Sequence, residues 1–265
     1  MVSSKPGSRA EPPASTPPRV KVTWPKAYRI IRSLYPPIDL FEDIADPADW
    51  ELLASAEAKT NPRVRDQVGQ IALVPARRRV SGPGASWVMA PFTHVSRARP
   101  TRFSDGSYGA YYCGNSFKVA MAETVHHFER AMRATREPKL VADYRELVGK
   151  VQLRAHDLCA PLARGERHAE CTPAYADCLA PDDYRASQAL GRRLRDVEAS
   201  DGILYPSVRQ PDGLALAVFW PDLVSIPTQG RHLAYRWDGE RCDAYFVYGE
   251  EKWHPLGEPL QRSGP

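Results

Sequence analysis

The chain lacks several features that would fix its class quickly. Its five cysteines are an odd number at low density among 265 residues. They include no paired C-x-x-C spacing, so neither a disulfide framework nor a zinc ribbon is expected. The longest strongly apolar run, Leu214–Trp220, is seven residues, whereas a membrane helix needs about 20. The N-terminal stretch has no apolar segment of the secretory kind. Neither a G-x-G-x-x-G loop nor a Walker loop occurs, which argues against a Rossmann or P-loop nucleotide site. Net charge is only +4, too little by itself to mark a nucleic-acid binder. The expectation is a cytoplasmic protein with reduced thiols and no membrane contact.

What is present is a globular composition, 43% hydrophobic, long enough for one sizeable core. Residues 1–20 are proline-rich and read as a disordered tail. A single domain is expected over 21–260. AYRIIRSLYPP, residues 27–37, reads as a strand stopped by Pro36-Pro37. Trp50 onward reads as a helix start after Asp46-Pro47. Residues 38–99 are otherwise hard to read. GAYYCG reads as a short strand, followed by a helix over about 117–134 capped by Asn115 or Ser116. Met121, Val125, Phe128 and Met132 fall on one face of that helix. Residues 148–154 read as a strand, 156–183 as loop, and DDYRASQALGRRLRDVEAS as a helix. Residues 203–208, 214–220 and 244–248 read as further strands. Short strands with segregated helices give an α+β class.

Five features could carry chemistry, and each has a plain alternative. Glu123, placed in the first turn of its helix, lies about 200° round from Met121 and so leaves the apolar face. It is either a dipole-favourable acid paired with His127 at i+4 or a carboxylate at the mouth of a cleft. Ser207, in DGILYPSVR, is not in a nucleophile elbow; it reads as a bend serine bonding backbone or as an exposed site hydroxyl. Eight of the 36 basic residues are lysine, so arginine dominates. Arg29 and Arg102 sit in apolar text, where a guanidinium needs a partner or an anionic ligand. Arg192, Arg193 and Arg195 read as a solvated face or, less well, as part of a DNA-reading helix. His156, Cys159, His168, Cys171 and Cys178 fall within one stretch without the spacing of a standard zinc site. Glu123-x-x-His126 lacks the second copy that a di-metal bundle needs. No metal is expected.

Three pieces, taken in order, resemble the RES domain family of bacterial toxin–antitoxin modules. They are AYRIIRS with Arg29, TRFSDGSYGAYYCGNSFKVAMAET with Arg102, Tyr112 and Glu123, and DGILYPSVRQPDGLALAVF with Ser207. The resemblance covers residues 27–35 and 100–226, which makes 38–99 atypical of the family; that region is open to capping the cleft or binding a partner. The stretch before Arg102, ARPTRFSD, also departs from the family pattern. The resemblance implies an ADP-ribosyltransferase-like fold, with two small antiparallel sheets bracing a cleft and flanking helices. It implies an enzyme that degrades NAD⁺ as substrate by hydrolysis or phosphorolysis, with no resident cofactor. An Xre-like antitoxin protein is the implied partner. A mono-ADP-ribosyltransferase acting on a protein acceptor is the alternative, and a DNA-binding or interaction protein the non-enzyme one.

The chemistry can be argued from the substrate bond. Breaking the nicotinamide–ribose bond develops an oxocarbenium-like ribose and releases a neutral leaving group. The reaction needs a negative charge near that cation more than a strong acid. Glu123 is the candidate for that charge, with Arg29 and Ser207 as the other catalytic candidates. Tyr112 can stack on the nicotinamide. Arg29 and Arg102 can fix the pyrophosphate, and Tyr28 is a further substrate-binding candidate.

Overall fold

Most strands of the chain join in one large sheet. A computed structural model describes residues 15–35, 38–42, 46–57, 68–161 and 167–257. In chain order the strands are β1 (Arg19–Arg32), β2 (Tyr111–Gly114), β3 (Leu140–Asp157), β4 (Cys159–Pro161), β5 (Arg167–Cys171), β6 (Gly202–Pro206), β7 (Leu214–Val218), β8 (Thr228–Trp237), β9 (Cys242–Val247) and β10 (Lys252–Pro255). The helices are α1 (Asp39–Glu42), α2 (Trp50–Glu57), α3 (Ala85–Thr93), α4 (Phe117–Thr135) and α5 (Arg185–Asp196).

The class is mixed, with a large sheet and segregated helices. The sheet does not form the two small separate antiparallel sheets expected. Eight strands join in the order β1-β2-β7-β6-β3-β8-β9-β10, and a further β1–β3 ladder closes a ring through β1, β2, β7, β6 and β3. The physical reason is the length of β3. Its 18 residues pair with β1 along most of their run, with β8 at one end and in parallel with β6 at the other. One strand thus serves two sheet segments. The remaining hairpin, β4–β5, stands apart.

Two other expectations shift. Arg19 and Val20, read as tail, open β1 and pair with His156 and Ala155. Ser15 and Pro18 dock beside them: Arg193 Nη2 donates to the Ser15 carbonyl at 2.7 Å and the Asp157 amide donates to that of Pro18 at 2.9 Å. Residues 1–14 of the expected tail and 258–265 lie outside the described residues, as do Pro36 and Pro37. Within 38–99, Phe41, Trp50, Val88, Met89 and Phe92 join Val22, Tyr111, Leu153 and Leu216 in one core cluster. The hard-to-read region therefore covers one sheet face.

The opposite face of the β2–β7–β6 part is covered by α5 and the turn at residues 101–108, in a second cluster with Phe103, Tyr108, Leu190, Ile203 and Tyr205. Gly191 allows this approach, since a Cβ there would sit 2.3 Å from the Phe103 carbonyl oxygen. The third cluster lies under α4. Ser116 caps that helix by accepting from the Val119 amide. Met121 and Phe128 are buried against Tyr144, Tyr235 and Trp237, with Val125 and Met132 packed alongside. The predicted stripe is the observed one.

Candidate active site

The helix begins at Phe117, so Glu123 falls in its second turn rather than its first. It points to the end of β6 instead of pairing with His127. There the Ser207 hydroxyl donates to Glu123 Oε1 at 2.9 Å, joining residues 84 apart in sequence. The Ser207 oxygen also accepts from the main-chain amides of Gln210 (3.1 Å) and Arg209 (3.3 Å), the backbone bonding expected of a bend serine. With its proton committed to the carboxylate, this hydroxyl orients Glu123 and is not set up as a nucleophile.

Two guanidinium groups act on Glu123. Arg102 is only 8% exposed. Its Nη1 donates to the carbonyls of Ala180 (2.9 Å) and Cys178 (3.2 Å), and its plane lies 4.8 Å from the Tyr184 ring centre. Arg209 Nη2 donates to the Pro181 carbonyl (3.0 Å) and to His126 Nε2 (2.9 Å). One short backbone stretch, 178–181, therefore holds both cations beside one carboxylate. Burial pushes the Glu123 carboxyl above the ordinary glutamate range, against the Ser207 hydrogen bond and the charges of Arg102 and Arg209. Burial, then Arg209 and His127, lowers His126 to about 4. His126 is thus neutral at pH 7. Because arginine only donates, its Nε2 is the accepting nitrogen and Nδ1 carries the hydrogen.

Tyr112 reaches the same side of β2. Its hydroxyl accepts from the Phe103 amide at 3.0 Å and bonds Thr101 Oγ1 at 2.9 Å. Burial raises its phenol, partly offset by the Thr101 and Phe103 bonds and by Arg102. The turn that anchors it is clamped by α5: Ser187 Oγ donates to the Arg102 carbonyl and Gln188 Nε2 to that of Thr101. Below them Tyr205 is buried, its phenol held protonated by burial and then by the charge of Glu123.

Arg29 and Tyr28 are not drawn into this cluster. Alternation along β2 puts Tyr111 and Tyr112 on opposite faces, and the Arg29 guanidinium lies 4.7 Å from the Tyr111 ring centre. Its Nη1 donates to the Tyr112 carbonyl at 3.0 Å. A register shift between Trp24 and Ala27 sets this phase of β1. Tyr28, one residue earlier, packs into the cluster under α4. Arg209 is the residue of this cluster that sequence reasoning passed over, and His126 was weighed only as half of a carboxylate–histidine metal motif. Arg209 stood inside the DGILYPSVRQ stretch, two residues after Ser207, which was the available signal.

The metal alternative gains no geometry. His156 Nδ1 bonds Ser200 Oγ at 2.8 Å and its Nε2 accepts from Arg19 at 3.3 Å. His126 Nε2 accepts from Arg209. The side chain of His168 lies outside the described residues. Among the described residues, no three His, Cys, Asp or Glu side chains are placed to hold a metal ion. No helix among them is long and apolar enough to cross a membrane.

The family model described as the RES domain matches residues 76–238. The chain belongs to the RES domain family. The match takes in Arg102, Tyr112, Glu123, Ser207 and Arg209. It includes 76–99, the last part of the region expected to be atypical, and leaves 27–35 with Arg29 outside. The chain is similar to the uncharacterized protein y4oC of Sinorhizobium fredii (strain NBRC 101917 / NGR234), 25% identical over 225 residues that cover 84% of this chain and 87% of that one. Among solved structures it is similar to a chain in the M. tuberculosis MbcT-MbcA toxin-antitoxin complex, with a TM-score of 0.41 and 16% identity over 83% of this chain and 87% of that one.

Proposed function

We propose that this chain is an NAD⁺-degrading enzyme that cleaves the nicotinamide–ribose bond, acting as the toxin of a toxin–antitoxin module. The observation that carries the reading is the Ser207–Glu123 hydrogen bond between two cations. Family membership supports it through the chemistry that the RES resemblance implies.

In this reading Ser207 holds Glu123 Oε1, which leaves Oε2 for a ribose hydroxyl and for the positive charge that develops as nicotinamide departs. Arg102 and Arg209 oppose the protonation that burial favours at the half-buried carboxyl and face the anionic part of the substrate. Tyr112 offers a ring for the nicotinamide and keeps water from it. Arg29 is a positioning residue that fixes the β2 backbone at Tyr112. Tyr28 acts from under α4, through packing. The fold that this proposal assigns is ADP-ribosyltransferase-like, and an Xre-like antitoxin in the cytoplasm is the partner it calls for.

A mono-ADP-ribosyltransferase would use the same cleft with a side chain of a protein acceptor as nucleophile. Incubation of the purified chain with NAD⁺, with and without phosphate, separates the readings by product. Free ADP-ribose marks hydrolysis, ADP-ribose 1″-phosphate marks phosphorolysis, and nicotinamide release only on addition of a protein acceptor marks the transferase. Intact NAD⁺ under all three conditions contradicts the proposal.

A further inference from the structure

The hairpin that precedes the 178–181 stretch carries two cysteines in direct register. Cys159 on β4 and Cys171 on β5 are partners in the antiparallel ladder. The backbone bonds show which kind of partner. The Thr172 amide donates to the Leu158 carbonyl at 2.9 Å, the bond that flanks a pair from outside. The Cys159 amide donates instead to Asp157 Oδ1 (3.0 Å), and its carbonyl accepts from Thr172 Oγ1 (3.0 Å). Cys159 and Cys171 therefore form a non-hydrogen-bonded pair. At such positions the Cα atoms approach to about 4.5 Å and the side chains stand closest. That separation falls within the range a disulfide spans, about 4.4–6.8 Å between Cα atoms. None of the cysteines is in a disulfide in this structure.

We propose that Cys159 and Cys171 are a modification site, closed to a cross-strand disulfide by a peroxide. The balance is two thiols and one hydrogen peroxide giving one disulfide and two waters. The thiolate of Cys171, the more exposed of the two, attacks a peroxide oxygen, breaking the O–O bond and leaving a sulfenic acid and one water. The Cys159 sulfur then attacks that sulfenic sulfur, the S–O bond breaks, and the second water leaves. Burial raises the Cys171 thiol to about 11. The first step is therefore slow at neutral pH and accelerates about tenfold per pH unit below that value.

The site matters through its position in the chain. Cys171 leads directly into the 3-10 turn Pro173–Leu179 and on to the carbonyls of Cys178, Ala180 and Pro181 that hold Arg102 and Arg209. A bond at Cys171 fastens the root of that stretch to the end of β3.

The competing partner is Cys178, whose thiol lies close enough to Cys171 for their charges to interact. The test treats the full-length wild-type chain with hydrogen peroxide under native conditions, blocks remaining thiols, digests without reduction and maps the linked peptides by mass. A Cys159–Cys171 peptide, two hydrogens lighter than its parts, is expected as the dominant product, with its yield unchanged in C178S. Its formation is expected to raise the midpoint of thermal unfolding by several degrees relative to the reduced protein. A Cys171–Cys178 peptide, or a Cys171 sulfinic acid with no linkage, overturns the proposal. None of these readouts depends on NAD⁺ turnover.

Discussion

The two longest helices around the site invert their promise in sequence. α5 carries Arg185, Arg192, Arg193 and Arg195 and is the most obviously charged element of the chain. Yet its cations are engaged within the molecule. Arg192 pairs with Asp105 and Arg193 donates to the Ser15 carbonyl. Arg195 is held by Asp196 and lies 4.5 Å from the ring centres of both Tyr108 and Trp220. α4 is quieter, with one half-buried glutamate and one half-buried histidine on the side away from its apolar stripe. That side meets Ser207, Arg209 and the charge of Arg102. The candidate site comes from convergence of groups that are distant in sequence, not from local charge density. The same difference weakens the DNA-binding reading, because a phosphate-tracking helix needs cations that are not already paired.

The sharpest break between the helices is at Glu123. E123Q is expected to lower nicotinamide release at least about 10²–10³-fold, the scale of losing one preorganised electrostatic group, while circular dichroism stays native. The same variant tests the carboxyl's environment. A carboxyl raised in the folded state favours folding while protonated; that contribution is present below its unfolded value and lost as pH rises through the folded one. E123Q should therefore raise the thermal midpoint at neutral pH and change it little near pH 4. Unchanged midpoints at both pH values would contradict a desolvated Glu123.

Next in size are the groups that serve that carboxylate. S207A removes its hydrogen bond and the acceptor for two amides, and should cost about 1–3 kcal/mol in stability along with most turnover, read by denaturant titration and by nicotinamide assay. R209Q removes one of the two cations. In the proposed reaction turnover needs the ionised carboxyl, so the acid limb of the pH–rate profile should move to higher pH. A shift to lower pH, or none, would show that Arg209 does not act on Glu123.

The smallest effects belong to α5. R195A loses contact with two rings and should cost about 1–2 kcal/mol by denaturant titration, with turnover retained. R192Q breaks an exposed pair worth at most about 1 kcal/mol; it should leave turnover unchanged, and a salt-titrated DNA assay should detect no binding in either protein. Salt-sensitive binding lost in R192Q would reverse the comparison.

Much of this was legible in the sequence, for identifiable reasons. α4 declared itself because its stripe has helical period and its cap is a serine. Glu123 stood out because it left that stripe. β8 was legible in principle, since Leu233, Tyr235 and Trp237 alternate inward, but its polar first half masked them. β3 was read at less than half its length because Asp143, Arg145 and Glu146 interrupt its apolar text; Glu146 is buried all the same, bonded by the amide of Arg231 at 2.9 Å. α3 contains Pro91 and opens after a glycine, so no start signal marked it. The face on which Arg29 falls depends on the register shift before Ala27, which propensity does not encode. Arg209 was missed because its role depends on Pro181 and His126, neither of which is near it in sequence.

The most direct test of the central claim compares wild type and E123Q in one experiment, with nicotinamide release followed by chromatography and NAD⁺ binding followed by calorimetry. The account predicts release by wild type alone, with NAD⁺ still bound by the variant. Equal release by both proteins would show that the carboxylate held by Ser207 is not where the chemistry happens.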